Sequence, residues 1–155
     1  MSFSTLSASD RRVAIAGGIV AIVGLLSFLD PNGDWGTIMA LTLFAGLGAV
    51  FVGMQSRLAP GTKLPMTKGL LLLILGGVAT GATGIAVLTY LGYITRNVVD
   101  FFTLSMIVGL VASIVLLLTG WTAYQAETAA AAPPAPPPTP PGSTPPSPPP
   151  PATDG

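Results

Sequence analysis

Cysteine and histidine are both missing from this chain of 155 residues. The lack of cysteine excludes disulfides, thiolate catalysis and cysteine-ligated metals. The lack of histidine removes the commonest general base and the commonest metal ligand. We therefore expect no enzymatic activity, no cofactor and no metal site.

Charged residues are also scarce. They make up 8% of the sequence, against about 25% in an ordinary soluble domain, while hydrophobic residues make up 50%. A surface compatible with water cannot be built from this composition, so the lipid bilayer is the expected solvent. Six basic residues balance six acidic ones, so no net field favours nucleic acid as a partner.

Four apolar runs are long enough to be considered as membrane spans. They cover about residues 13–29, 36–54, 69–91 and 98–123. A helix of about 20 residues crosses a hydrocarbon core about 30 Å thick. The pattern predicts an all-α membrane protein whose residues 13–125 form a four-transmembrane-helix bundle of two antiparallel hairpins. We expect Ser9 or Asp10 to cap the first span and Asn97 the fourth.

Arg11 and Arg12 precede the first apolar run. A pair of arginines before an apolar segment is also found in secretory and twin-arginine signals, but no small-x-small cleavage site follows this one. An uncleaved first span is the favoured interpretation. Both arginines are then membrane-interface anchors, with stems in lipid and charges in water.

The basic residues predict the orientation of the spans. Five fall in the segments that share one side of the membrane: Arg11, Arg12, Arg57, Lys63 and Lys68. The opposite side has Arg96 alone. Because basic residues are enriched on the cytoplasmic side, residues 1–12 and the C-terminus are expected in the cytoplasm, with the protein in the inner membrane.

Aromatic residues agree with this orientation. Trp35, Tyr90 and Tyr93 fall at the expected outer surface, and Trp121 and Tyr124 at the inner one. Tryptophan and tyrosine are enriched at both membrane interfaces. These five residues are therefore predicted interface anchors.

The first outer loop, residues 30–34, is dense in turn-forming residues. Asp30, Asn32 and Asp34 also have the alternating oxygen spacing that opens a calcium loop. An EF-hand would need glycine and glutamate where this chain has Trp35 and Leu41. A tight turn, with Asp34 capping the second span, is the favoured interpretation.

Residues 126–155 are rich in alanine and proline, and 16 of the 155 residues are proline. Such a segment cannot bury a core and lacks amide donors, so a disordered cytoplasmic tail with polyproline II character is expected. Its P-x-x-P steps allow a weak cytoplasmic partner, but no flanking basic residue gives a ligand direction. A passive spacer is favoured.

Small side chains recur at four-residue spacing on three of the runs. They are Gly76, Gly77, Thr80, Gly81 and Gly84 on the third run, Ala45, Ala49 and Gly53 on the second, and Ser105, Gly109 and Ser113 on the fourth. Gly77 and Gly81 make a G-x-x-x-G pair. Small residues let helix backbones approach closely in lipid. We expect these rows to pack within one bundle or, alternatively, to form an oligomer interface through the third span.

Within the predicted spans the only charged residue is Asp100, in the first turn of the fourth. Proton relays and ion pathways usually need ionisable groups inside the membrane. The leading hypothesis is therefore a non-enzymatic accessory, scaffold or assembly subunit acting through helix packing. The alternative is an oligomeric channel or facilitator, with a pore between protomers lined by Thr80 and Thr83.

The whole pattern resembles the small uncharacterised four-span membrane proteins of GC-rich bacteria. The features in common are the basic N-terminus, the short spans rich in glycine, alanine, leucine and valine, the outer loop with aspartate and tryptophan, and the low-complexity tail. The resemblance is architectural and covers the whole chain. It implies a multi-pass bacterial membrane protein and assigns no functional residue.

Overall fold

A computed structural model describes residues 7–29, 36–58, 61, 63–97 and 99–132. The helices are α1 (Ala8–Leu26), which continues into a short 3-10 helix (Ser27–Leu29), α2 (Gly36–Leu58), α3 (Lys68–Thr89), α4 (Leu91–Ile94) and α5 (Phe101–Ala131). These residues contain no strand. The predicted all-α class is thus confirmed for the described part of the chain.

Length and composition make α1, α2, α3 and α5 able to cross a membrane. Their apolar segments, α1 counted with its 3-10 extension, comprise 22, 18, 22 and 31 residues in the described chain. At about 1.5 Å per residue, α5 is about 46 Å long and exceeds a hydrocarbon core of about 30 Å by roughly three turns. The predicted multi-pass membrane protein is confirmed at this level.

Both predicted N-terminal caps are wrong by a few residues. The Ser7 hydroxyl, not Ser9 or Asp10, caps α1 and accepts a hydrogen bond from the Asp10 N–H at 3.1 Å. The Asp100 carboxylate, not Asn97, caps α5 and accepts from the Phe102 N–H at 3.1 Å. In each case the observed cap lies immediately before the first helical residue, where its oxygen can reach an unpaired N–H.

The end of α5 also differs from the prediction. Residues 126–131 are helical rather than part of a disordered tail. Alanine is the strongest helix former and the run Ala129–Ala131 extends the helix, until the residue before Pro133 must leave the helical region. Residues 133–155 of the predicted tail, the 30–34 loop and Trp35 lie outside the described residues.

Neighbouring helices pack antiparallel through glycine. A Cβ atom built on Gly24 of α1 would lie 2.5 Å from the Leu43 nitrogen of α2. On the other pair, a Cβ on Gly76 of α3 would lie 2.6 Å from the Leu117 Cα of α5. These approaches bring backbone against backbone, as in close-packed membrane helices.

Buried side chains from all four long helices fill the space between the two antiparallel pairs. Toward the N-terminal end of α1, they are Val13, Ala16, Ala49, Val52, Leu72 and Leu116; at mid-depth, Val20, Ala45, Ala79 and Ala112; and toward the far end, Met39, Ala86 and Met106. Mid-depth contacts use mostly alanine, which keeps the helix axes close. The side chains turned away from this interior are largely apolar as well.

Candidate functional site

The small residues of α2 lie on the side of that helix that faces the interior. Ala45 is 3% exposed and Ala49 is fully buried. Ala49 lies against Gly17 of α1, and Gly53 lies against Val13. All three therefore contact the chain's own helices.

On α5 the predicted row is also engaged within the chain. Gly109 packs against Val23 of α1, whose Cγ1 lies 2.7 Å from the position of a glycine Cβ. Ser113 is fully buried, and its hydroxyl lies 3.1 Å from that of Thr83. Half-buried Ser105 donates to the Phe102 carbonyl at 2.8 Å. Gly109 and Ser113 are therefore engaged by α1 and α3, whereas the hydrogen bond of Ser105 lies within α5.

The predicted row on α3 divides between two sides of the helix. Gly76 is buried against Leu117. Gly77 and Gly81 are exposed, and a Cβ atom at Gly77, Gly81 or Gly84 would have no neighbour within 4 Å. The glycines of the G-x-x-x-G pair therefore point away from the rest of the described chain.

Large apolar side chains flank the open glycines. Ile74, Val78, Ile85 and Leu88 are all exposed on α3. Positions 77, 81, 84 and 88 repeat at the spacing of one helix face. We call the surface formed by Gly77, Gly81, Gly84 and these four apolar residues the outer α3 face. Because no side chain projects at the glycines, this face has a depression there, beside the larger apolar side chains.

The hydroxyls predicted to line a pore do not share a surface. Thr83 is fully buried and donates to the Ala79 carbonyl at 2.8 Å, as well as contacting Ser113. Thr80 is half-buried, and its Oγ1 has no hydrogen-bond partner among the described residues. Because Thr83 points into the protomer, it is not available to a pore formed between protomers.

Two polar contacts at the start of α3 join it to its neighbours. The Lys68 ammonium forms an ion pair with the Asp10 carboxylate of α1. Both oxygens of the Glu127 carboxylate, on α5, accept from the Gly69 N–H, at 2.9 and 3.1 Å. A carboxylate at a helix N-terminus is favoured by the helix dipole. Among residues 7–132 that are described, no three metal-ligating side chains cluster.

Sequence reasoning missed both contacts. Each pair is 58 residues apart in the chain, so no local spacing marks it. The available signal was Glu127, the only glutamate in the sequence, placed one turn past the predicted end of the fourth span. A helix prolonged to that position brings the carboxylate to the start of α3.

The predicted interface anchors that the structure describes fall in two groups, toward opposite ends of the long helices. Arg11 and Arg12 are exposed in the first turns of α1. Trp121 and Tyr124 lie ten and seven residues before the end of α5, with ring centroids 6.3 Å apart. At the other end, the Tyr93 hydroxyl donates to the Asp100 carboxylate at 3.3 Å, and Tyr90 packs against the cluster of Met39, Ala86 and Met106.

No protein-family model, curated protein or solved structure matches this chain. The class is therefore defined by the helices themselves. It is a multi-pass membrane protein. Its described part has apolar helices, an interior filled by side chains, and glycines on the outward-facing side of α3.

Proposed function

We propose that this protein is a non-enzymatic accessory or assembly subunit that joins other membrane helices through the outer α3 face. The observation that carries the proposal is the open space at Gly77, Gly81 and Gly84. The predicted rows on α2 and, apart from Ser105, on α5 pack inside the chain. Gly77, Gly81 and Gly84 are left for a second copy of the chain or for a larger complex.

The physical reason lies in how helices associate in lipid. Apolar side chains gain little by leaving lipid for a protein contact, so association depends on close backbone approach and van der Waals contact. Glycine in a helix is less favourable than alanine by about 1 kcal/mol, and nothing in the described chain requires glycine at Gly77 or Gly81. A partner helix lying in the depression would use that missing side-chain volume.

The proposal includes an orientation: a four-helix bundle in the inner membrane with both termini in the cytoplasm. The ion pair between Asp10 and Lys68 supports it, because it puts Arg11, Arg12 and Lys68 at one end of the helices. Arg57, in the last turn of α2, belongs to the same end, since α2 runs antiparallel to α1. Basic residues gathered at one surface mark the cytoplasmic side.

Association can be tested by enlarging one open glycine. The variant Gly81→Leu fills the depression at a position where a Cβ atom has no neighbour within 4 Å in the described chain. Its matched control is Gly18→Leu on α1, where a Cβ atom also has no neighbour within 4 Å. Membranes containing each full-length variant are solubilised gently and analysed by blue-native electrophoresis.

The expected result is a complex larger than one chain for the unmodified protein and for Gly18→Leu, and loss of that complex for Gly81→Leu. Close packing at G-x-x-x-G sites depends on the absence of a side chain, so one leucine is enough to separate the helices. A strictly monomeric unmodified protein, with no co-purifying partner, would overturn the proposal. So would a complex that survives Gly81→Leu.

A further inference from the structure

An apolar groove follows the line where α1 meets α5. A cavity of about 420 Å³ lies between them from Arg12 to Ile19, with Val108, Val111 and Val115 on the opposite wall. A second cavity of about 390 Å³ continues it toward Leu26 and shares Ile19 and Val108 with the first. Together they form one furrow, which we call the α1/α5 groove.

Side-chain size explains why the groove exists. Ala16 and Ala112 form its floor with buried methyl groups, while Ile15 and Val111 rise at its edges and are 50% and 56% exposed. The helices come close at Gly109, which contacts Val23. Around that contact the short alanines leave the space between the edges empty.

The groove is wide enough for a whole hydrocarbon chain but not for a whole helix. The larger cavity extends for about 10–12 Å along the helices, so its mean cross-section is about 40 Å². A helix with side chains is about 10–12 Å across and needs about 80 Å² or more. A hydrocarbon chain, whose contacts with neighbouring carbons lie at about 4 Å, needs about 20 Å². A helix could therefore insert only side chains here, whereas an acyl chain fits entirely.

In the described chain, one cationic side chain lies at the end of the α1/α5 groove. Arg12 lines the cavity at the N-terminal end of α1, is exposed, and forms no ion pair among the described residues. Asp10, the acidic residue of the same turn, pairs with Lys68 instead. A guanidinium can donate two parallel hydrogen bonds to phosphate oxygens. Basic residues in crevices between membrane helices are a known setting for anionic headgroups.

The groove is also long enough to run through one leaflet. From Arg12 to Leu26 the helix rises about 21 Å, whereas one leaflet is about half of a 30 Å core. We propose that the α1/α5 groove binds one acyl chain of an anionic phospholipid from the leaflet next to the N-terminal end of α1, with Arg12 on the phosphate. The remaining chain stays in the bilayer.

Retention of lipid by the purified full-length protein tests the headgroup. The protein in detergent is mixed with phosphatidylglycerol or with phosphatidylcholine, and bound lipid is counted by native mass spectrometry. We expect about one phosphatidylglycerol per chain, with affinity about tenfold lower for Arg12→Gln, as for the loss of a charge-assisted hydrogen bond. The matched variant Arg11→Gln, outside the groove, should change it less than about twofold.

Filling the groove tests the acyl-chain site. Val111→Trp places a large ring at a half-exposed edge and should remove the retained lipid, while Leu47→Trp at an exposed position of α2 should not. Circular dichroism confirms that each variant is folded. Glycerol 3-phosphate, which has the phosphate and no acyl chains, should not compete.

Distinct results would overturn the proposal. Equal retention of both lipids would contradict the preference for an anionic headgroup, and equal losses for Arg11→Gln and Arg12→Gln would leave Arg12 without a specific role. Retention unaffected by Val111→Trp would place the lipid elsewhere. A two-chain species that lacks lipid and disappears in Val111→Trp would make a second copy the occupant.

Discussion

The two sides of α3 differ in what a side chain would meet, although their residues alternate along the same helix. On the α5 side, Gly76 contacts Leu117, and Thr83 contacts Ser113. On the outer α3 face, Gly77 and Gly81 face open space. Small residues thus serve two purposes in one helix: internal packing on one side and, in our proposal, contact with a partner on the other.

The sharpest test of this contrast substitutes two adjacent glycines. Gly76→Ala places a methyl group 2.6 Å from the Leu117 Cα and should lower the free energy of unfolding by about 1–3 kcal/mol. Gly77→Ala meets nothing and should leave it unchanged or raise it by up to about 1 kcal/mol. Unfolding in mixed micelles with rising SDS, followed by circular dichroism, measures both. Equal decreases in the free energy of unfolding for the two variants would contradict the difference between the two sides of α3.

The second test removes the contact that ties the end of α5 to the start of α3. Glu127→Ala should lower the free energy of unfolding by about 1–2 kcal/mol, because the Gly69 N–H loses its carboxylate acceptor at a helix N-terminus. Glu127→Gln keeps an oxygen acceptor without the charge and should lose about half as much. The same SDS titration applies. An unchanged free energy of unfolding for Glu127→Ala would show that this contact does not stabilise the packing of α5 against α3.

The third test compares two buried threonines by the same isosteric change. Thr83→Val should lower the free energy of unfolding by about 0.5–1 kcal/mol, since Thr83 bonds to Ala79 and Ser113. Thr103→Val should be neutral or stabilising by up to about 1 kcal/mol, because the fully buried Thr103 hydroxyl has no partner among the described residues. A larger loss for Thr103→Val than for Thr83→Val would contradict the hydrogen bonding described.

The smallest expected effect concerns the ion pair of α3 with α1. The side chains of Lys68 and Asp10 are 38% and 19% exposed, so solvent screens much of their attraction. Lys68→Met should lower the free energy of unfolding by less than about 1 kcal/mol, and added salt should reduce the difference from the unmodified protein. A double-mutant cycle with Asp10→Asn isolates the pair. A coupling energy well above about 1 kcal/mol would show that the ion pair is a major contribution to the stability of the fold.

The membrane class and the positions of the spans could be predicted from the sequence because they depend on local composition. Apolar runs of sufficient length and the scarcity of charge were enough. The ends were harder to place. Asp100 was assigned to the first turn of span four but is its cap, and Ala129 to Ala131 were grouped with the proline-rich tail although they continue α5.

The division of the glycines could not be predicted. In water, the polar side of a helix shows which side is outside, but in lipid both sides of α3 are apolar and give no such signal. Gly76 and Gly77 are equivalent in the sequence, and only the position of α5 separates them. The contacts of Glu127 with Gly69 and of Thr83 with Ser113 likewise depend on how distant segments meet.

The chain contains no cysteine, so single cysteines can report which surface of α3 contacts a partner in native membranes. We predict strong oxidative or bifunctional cross-linking for Gly77→Cys and Gly81→Cys, and weak cross-linking for Leu47→Cys and Leu118→Cys at positions of α2 and α5 that are also exposed. No cross-link at Gly77 and Gly81, or equal yields at all four positions, would contradict the assignment of the outer α3 face as the contact surface.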